Sequence, residues 1–479
     1  MINQSELNKK LRQHYKDFVV NKKLTQIHEI SRLPRFVSES LLIKLSDLED
    51  DKEKLKQALE DIVEKVTSLY PEPRDKDKIL HLLFETNKYS LIDEVKVYVD
   101  EYTGIKKAII PILNIKDAKI LESIVNENLN LLSTGIWGVM GLTISEPIKD
   151  ENENPVTSPV TIEKFKPIQA PNISLNEFVE KRRHFSLEEW IDILINTLGR
   201  NPETLTERQK LILISKLIPL VEGNVNMMEF GPKATGKTYL YRNISFYTHI
   251  ISGGTISPAA LFYNIGTKVF GHIGVRDSVI FDEVMKVRFI NPDDMMGKLK
   301  DYMESGHFER GPKKARATCS LVFMGNVQVE KYEDGYIPIE DLFYVLPDIM
   351  RDTAFIDRIN GLIPGWELPK IKDPRHLSSN YGFSTDYFSE ILHSLRNLSF
   401  QTELKNKIEI ENIISIRDIA SVFKLASGFM KLLFPHKNYT EKELRDVLDF
   451  VLGYRQQVMD WLNKVEPGEF EKKKMTYQI

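Results

Sequence analysis

Residues 231–238 read GPKATGKT, a full match to the pattern G-x-x-x-x-G-K-[ST]. Those residue types at that spacing suit the binding of a nucleoside triphosphate. Gly231 and Gly236 permit a tight loop, and the backbone N–H groups of the loop (Gly231, Pro232, Lys233, Ala234, Thr235, Gly236) turn inward toward phosphate oxygens where a hydrogen is present. The helix that follows adds its positive end. Lys237 is placed to reach the β- and γ-phosphates of ATP, and the Thr238 hydroxyl to coordinate Mg²⁺. An accidental glycine loop would need no particular flanks. Here Val225–Phe230 reads as the preceding strand and Thr238–Tyr247 as the following helix.

The run SVIFDE (278–283) is an apolar strand that is expected to end in two acids. A buried parallel strand delivers its C-terminal residues to the ligand side of an α/β sheet. Asp282 would then hold Mg²⁺ through water and Glu283 would polarise the attacking water. Acid pairs after apolar runs are common in solvated loops, and it is the position downstream of the loop that gives this one weight. A third strand, Ser320–Met324, runs into Gly325–Asn326, where the amide of Asn326 can orient the hydrolytic water or simply form a turn. Arg358 and Arg417 are candidates for stabilising transition-state charge beside the γ-phosphate. An arginine chosen at random is more often a surface ion-pair partner.

These residues need a scaffold, and the sequence outlines one. Residues 1–90 read as helical, with Leu55, Leu59, Ile62, Val63 and Val66 recurring every three or four positions. Residues 91–170 read as a small β-rich unit, OB-like or another barrel, with strands near Val95–Val99, Ala108–Ile112, Ile136–Ile144 and Lys164–Ile168 and a loop over 145–160. Residues 171–375 read as the α/β core, opening with a capping box at Ser186 and Glu189. Residues 376–479 read as a helical lid and tail, with a second box at Ser415 and Asp418. The 479 residues carry a net charge of −4, so any nucleic-acid surface must be local. The single cysteine, Cys319, excludes a disulfide scaffold and a cysteine-rich zinc site. The polar amino terminus and the lack of any apolar run near 20 residues lead to the expectation of a cytoplasmic protein without membrane association.

The order of GPKATGKT, SGGT (252–255), SVIFDE, LKDYMESGHFERG (299–311), LVFMGN (321–326), DRINGLIPGWELPK (357–370) and SIRDIASVFKLASGFMKLL (415–433) resembles the Lon-related AAA+ family of BREX phage-defence systems, BrxL. NKKLTQIHEISRLPRFVSESLL (21–42) and GIWG (135–138) extend the resemblance over nearly the whole chain. The resemblance implies an α/β AAA+ P-loop core with a helical lid and an amino-terminal α+β domain. The core is also similar to the minichromosome-maintenance helicase branch. That implies a homo-hexameric ring with ATP sites between subunits, leaving open whether rings pair into double hexamers. It implies that Asn326 is sensor 1, Arg417 the lid arginine (sensor 2) and Arg358 the finger that enters a neighbour's site. It further places HFERGPKKARA (307–317) as a β-hairpin facing the channel, where Arg310, Lys313, Lys314 and Arg316 would contact DNA phosphates. By charge alone the same residues would make a solvated turn.

Longer members of this family carry a Lon-type protease domain with a serine–lysine dyad. The residues after the lid are too few for one, so a short, protease-less form is expected, with Ser427 a packing residue. Three functions compete: an ATP-driven DNA motor acting with other BREX defence proteins, a protein unfoldase, and a nucleotide-dependent scaffold. The intact acid pair and Arg358 weigh against the scaffold. An unfoldase would present aromatic residues to the channel, and Phe262–Tyr263 and Phe270–Gly271 can be read either that way or as core packing.

Overall fold

The computed structural model describes residues 2–48, 51–132, 135–150, 153–168, 173–332 and 335–479. They form two compact units, one of residues 17–172 and one that joins the chain up to Lys16 to residues 173–479. This differs from the four-part division at residues 90, 170 and 375 expected from sequence, of which the 170/171 boundary lies outside the described residues. The first helix, α1 (Gln4–Tyr15), does not belong with the helices that follow it. Its buried face of Leu7, Leu11 and Tyr15 packs into the larger unit. There Gln4 donates to Asp192 at 2.8 Å and the Tyr15 hydroxyl to the Phe178 carbonyl at 3.0 Å.

In the smaller unit a single helical turn (His28–Ser31) and the longer helices α2 (Arg35–Leu42), α3 (Lys52–Leu69) and α4 (Lys76–Thr86) precede the β-rich segment. The apolar stripe of α3 is only half covered, with Val66 its one buried member. Five strands then close a barrel: β1 (Tyr89–Val99), β2 (Lys106–Ile110), β3 (Ile115–Ile120), β4 (Ile136–Ile144) and β5 (Val160–Pro167). Around it the order is β1-β2-β3-β5-β4, and β3 and β5 run parallel. Alternation puts Val95, Val97, Ala108, Ile110, Met140, Leu142 and Ile162 inside. Gly138 lets the chain pass Phe165, whose ring lies 2.5 Å from where a Cβ would stand.

The larger unit contains the parallel α/β sheet. Its strands are β6 (Met227–Gly231), β7 (Thr248–Ile256), β10 (Ser278–Phe289), β13 (Ser320–Asn326) and β14 (Gly361–Pro364), ordered β14-β6-β13-β10-β7. Three short antiparallel pairs interrupt the sequence between them: β8 (Tyr263–Asn264) with β9 (Val269–Phe270), β11 (His307–Arg310) with β12 (Lys313–Arg316), and Val329–Tyr332 with Gly335–Pro338. The central strands are largely apolar on both faces, as parallel strands covered by helices must be, and the buried Glu229 of β6 is paired with Lys216 at 2.8 Å. Each fully buried Phe or Ile there contributes about 1.5–3 kcal/mol. The capping boxes at Ser186–Glu189 and Ser415–Asp418 both form, starting α5 (Leu187–Thr197) and the lid helix α9 (Ile416–Leu433). Between these, α6 (Lys237–Ile244) follows the P-loop, α7 (Pro292–Ser305) precedes the second hairpin and α8 (Thr385–Leu395) opens the lid. Lid and core are one compact unit because Trp190 of α5 donates to the Leu432 carbonyl of α9 at 2.9 Å, within a shared aromatic cluster.

One strand departs from expectation. β10 does not end at the acid pair but continues to Phe289, with a register shift between Asp282 and Val287. The neighbouring strand β7 is long enough to pair with it on both sides of the irregularity. A bulge of this kind re-aims side chains without ending the strand.

Candidate functional site

The P-loop grows out of β6, all of whose residues are buried. Gly231 is required by crowding, since a Cβ there would lie 2.5 Å from the Gly365 carbonyl carbon. Ala234 (φ +67°) and Gly236 (φ +85°) are both left-handed, so the loop curls and presents its amides to one concave side. For Ala234 that conformation costs about 1–2 kcal/mol, strain of a kind that gathers at binding sites. Lys237 is 7% exposed and donates from Nζ to the Gly231 and Pro232 carbonyls at 2.9 and 2.7 Å. Burial lowers its pKa to about 8. Its charge is thus folded into the loop's own concavity.

Thr238 and Asp282 meet directly, the Thr238 hydroxyl donating to Asp282 Oδ2 at 2.7 Å. The other carboxylate oxygen accepts the Glu283 N–H at 2.9 Å. A hydroxyl and a carboxylate oxygen this close can share one hard divalent cation. Glu283, at the bulge, has φ +48° and is 43% exposed at its side chain. It pairs with Lys286 Nζ at 2.8 Å, which holds the carboxyl below its ordinary pKa range. Asn326 ends β13 in register with Gly231, and with Lys233, Glu283, Gly325 and Tyr344 it lines a cavity of about 320 Å³. The loop, the acid pair and the strand-end amide therefore converge on one mouth of the sheet. The residues present fit a magnesium-bound nucleoside triphosphate.

The two arginines lie elsewhere. Arg417 binds Glu304 Oε2 at 2.8 Å and Asp357 Oδ2 at 2.6 Å, and Arg358 contacts the same Glu304 oxygen at 3.2 Å. Buried Arg455 holds the other Asp357 oxygen at 2.8 Å. Arg358 precedes β14, which runs parallel to β6, and Asn360 accepts the Asn226 N–H at 2.7 Å. The cluster thus sits where β6 begins and the P-loop where it ends. At about 3.3 Å per residue the strand separates them by some 16 Å. Neither arginine reaches the P-loop of its own chain.

The segment 307–316 is a β-hairpin with Gly311-Pro312 at its tip. Its cations divide. Arg310 donates to the Tyr263 carbonyl of the first hairpin, and Lys313 Nζ lies 5.0 Å over the Phe270 ring. Lys314 and Arg316 share the opposite, exposed face, and Lys314 pairs with Glu309 at 3.1 Å. The aromatic alternative fares differently. Phe262 and Tyr263 are buried and Phe270 packs on Phe308, so these rings are core. Ser427 is fully buried and donates to Glu222, which also takes Lys431 at 3.0 Å; the pair has no room for a substrate.

Sequence reasoning missed Lys286, which its place three residues after Glu283 could have flagged, and the acids Glu304 and Asp357 that hold the arginines. It also missed Arg200, a buried cation on the Thr235 carbonyl at 3.2 Å, for which no local signal exists.

Comparison with known proteins follows this division. A family model described as "Lon-like protease BrxL-like, ATPase domain" matches residues 160–476, and one described as "BREX system Lon protease-like protein BrxL N-terminal" matches residues 13–144. The chain is 36% identical over 467 residues to the Lon-like protease BrxL of Bacillus cereus (strain H3081.97). It is 34% identical over 466 residues to that of Escherichia coli O9:H4 (strain HS). Each comparison covers 97% of this chain and 68% or 66% of the relative, so the chain spans about two thirds of their length.

Proposed function

The chain belongs to the BrxL family, with an AAA+-like ATPase core, and we propose that it is a ring motor that hydrolyses ATP while bound to DNA in BREX-type phage defence. The carrying observation is the separation of the two halves of the site. The loop, Lys237, Thr238, Asp282, Glu283 and Asn326 gather at one end of the sheet, and Arg358 and Arg417 at the other. Charge stabilisation by an arginine beside the γ-phosphate then requires a second copy of the chain. A closed head-to-tail ring satisfies every site at once, whereas a two-fold dimer would set like surfaces against each other. The homo-hexamer implied by the resemblance meets that requirement.

Within each site the chain's own groups divide the work. The loop amides and Lys237 hold the phosphates, Thr238 and Asp282 hold magnesium, Glu283 takes the proton of the attacking water and Asn326 orients that water. Bound magnesium supplies charge neutralisation at the phosphates. Glu283 first has to leave Lys286.

The exposed face of the second hairpin supports DNA over polypeptide as what the ring acts on. It presents Lys314 and Arg316, while of the aromatic side chains that an unfoldase would display Phe262 and Tyr263 are buried and Phe270 is half-buried against Phe308. The test compares ATPase turnover with duplex DNA, single-stranded DNA and an unfolded protein. Stimulation by DNA is expected. In K314A/R316A the log–log salt slope of DNA binding should fall by about 2, nearly equally for all sequences. Stimulation by unfolded protein alone would overturn the DNA reading in favour of a remodelling ATPase.

A further inference from the structure

Beside the P-loop lies a buried cation that belongs to none of the sequence motifs. Arg200 is 5% exposed. Its Nη1 donates to the Thr235 carbonyl at 3.2 Å, while Nε and Nη2 are buried without a hydrogen-bond partner. A guanidinium has five N–H donors and no acceptor, and buried donors are rarely left unpaired without a reason. Burial lowers its pKa to about 10, so at neutral pH it remains charged.

The backbone fixes where this cation stands. Residues 199–201 pair with 376–378: Arg200 bridges Leu377, the Asn201 N–H donates to the His376 carbonyl at 3.0 Å and the Ser378 N–H to the Gly199 carbonyl at 3.0 Å. The same returning segment touches the loop, since the Ile371 N–H donates to the Ala234 carbonyl at 2.8 Å. A Cβ placed on Gly236 would meet Ile371 Cδ1 at 3.1 Å and Arg200 Nη1 at 3.9 Å. The glycine that opens α6 is therefore flanked by an apolar side chain and by a cation with spare donors.

Lys237 and the inward amides account for the terminal phosphates. The α-phosphate, sugar and base have to leave the loop at its helix end, the end that Gly236 marks. An apolar surface and a donor-only cation are complementary to the nucleoside: the ring stacks on the first, and its acceptor atoms, with those of the sugar, take hydrogen bonds from the second. We propose that Arg200, together with Ile371, grips the nucleoside of the bound nucleotide, Nε and Nη2 donating to acceptor atoms of its sugar and base. This rests on the nucleotide reading of the P-loop.

Calorimetric titration of the full-length protein with ATP, ADP and inorganic tripolyphosphate tests it. In R200Q, affinity for ATP and ADP should fall in parallel by about tenfold or more, while tripolyphosphate, which has no nucleoside, binds as before. R200K keeps the charge but offers one compact donor head. It should retain the nucleotide-free melting temperature and show the same selective loss in smaller degree, which keeps the test available should R200Q fold poorly. An equal loss for tripolyphosphate would mean that Arg200 acts only by bracing the loop through Thr235 and would overturn the proposal. Unchanged ATP and ADP affinity in both variants would overturn it as well. Wild-type protein that binds none of the three would instead remove the nucleotide reading on which the proposal stands.

Discussion

The two ends of the parallel sheet in the larger unit are built on different terms. Where β6 ends, buried strands hand over to short loops, and the P-loop with Lys237, the Thr238–Asp282 pair and the Asn326 amide come together at one mouth of the sheet. Where β6 begins, positive charge is abundant. Arg358, Arg417 and Arg455 stand around Glu304, Asp357 and Asp418. There the three arginines are matched by three carboxylates, whereas no arginine stands among the described residues that line the cavity at the first end. Under the ring proposed above, the unit of chemistry would be larger than one chain, and Glu304 and Asp357 would hold the arginines in shape until a neighbour's phosphates replaced them as partners.

The bluntest way to break the comparison is to destroy the first end. K237A removes the ammonium proposed to hold the phosphates, and ATP affinity should drop by about a hundredfold or more. Retained affinity, measured by calorimetry, would mean that the loop is not the phosphate grip. Damage to the second end should look different. R358A should bind ATP normally as an isolated subunit while turnover of the assembly falls by about a thousandfold. The decisive form is a mixture. Each variant alone is inactive, but where an R358A subunit lends its intact loop to a K237A subunit that lends its intact arginine, one working interface results. Recovery of turnover on mixing is expected. A mixture as inactive as its components would place the arginine's effect inside its own chain and dissolve the contrast.

The first end was legible in the sequence and the second was not, for a physical reason. Gly231, Gly236, Lys237 and Thr238 lie within one turn and a loop, so linear spacing and spatial arrangement are nearly the same thing. The hairpin at 307–316 was legible on similar grounds, through its resemblance and its Gly-Pro turn. Arg358 and Arg417 could be recognised as arginines of interest, but their placement depends on β14 running parallel to β6, which sends the residue before the strand to the far edge. The partner Glu304 comes from the last turn of α7 and Arg455 from the middle of the helix Glu441–Val465, and Arg200 reaches the loop across 35 residues. The bulge that carries Glu283 was hidden for another reason. The apolar run stops at Phe281, whereas the strand continues because β7 remains available to pair with it. The larger unit's claim on α1 likewise depends on contacts with Asp192 and Phe178 that no local pattern reveals.

A narrower probe stays within the first end. E283Q keeps the size and shape of the side chain but cannot accept the water's proton. It should bind ATP as wild type does and lose turnover by about a hundredfold or more. Because Glu283 stands outside the loop and pairs only with Lys286 at the surface, the change should leave the melting temperature of the nucleotide-free protein nearly unmoved. If binding fell along with turnover, Glu283 would belong to the phosphate grip, and the separation of grip from chemistry within this end would fail.

The smallest expected effect distinguishes the ends by titration. Burial has lowered the pKa of Lys237 to about 8, below its value in the unfolded chain. A cation so depressed is disfavoured in the folded state while protonated, so this group's contribution to stability of the nucleotide-free protein rises as pH climbs from about 8 toward 10.5. Nucleotide binding runs the opposite way, because phosphate needs the ammonium. Above pH 8, apparent ATP affinity should weaken by up to about tenfold per pH unit, until binding itself restores the proton. K237R removes the titration, since arginine stays charged throughout this range. Its affinity, whatever its absolute value, should be flat from pH 7 to 9. Arg358 makes no contact with the loop of its own chain, so R358A should leave the pH dependence of binding as it is in wild type. A flat wild-type profile would show that Lys237 does not titrate at the loop, and a change of slope in R358A would show that the two ends communicate within one chain.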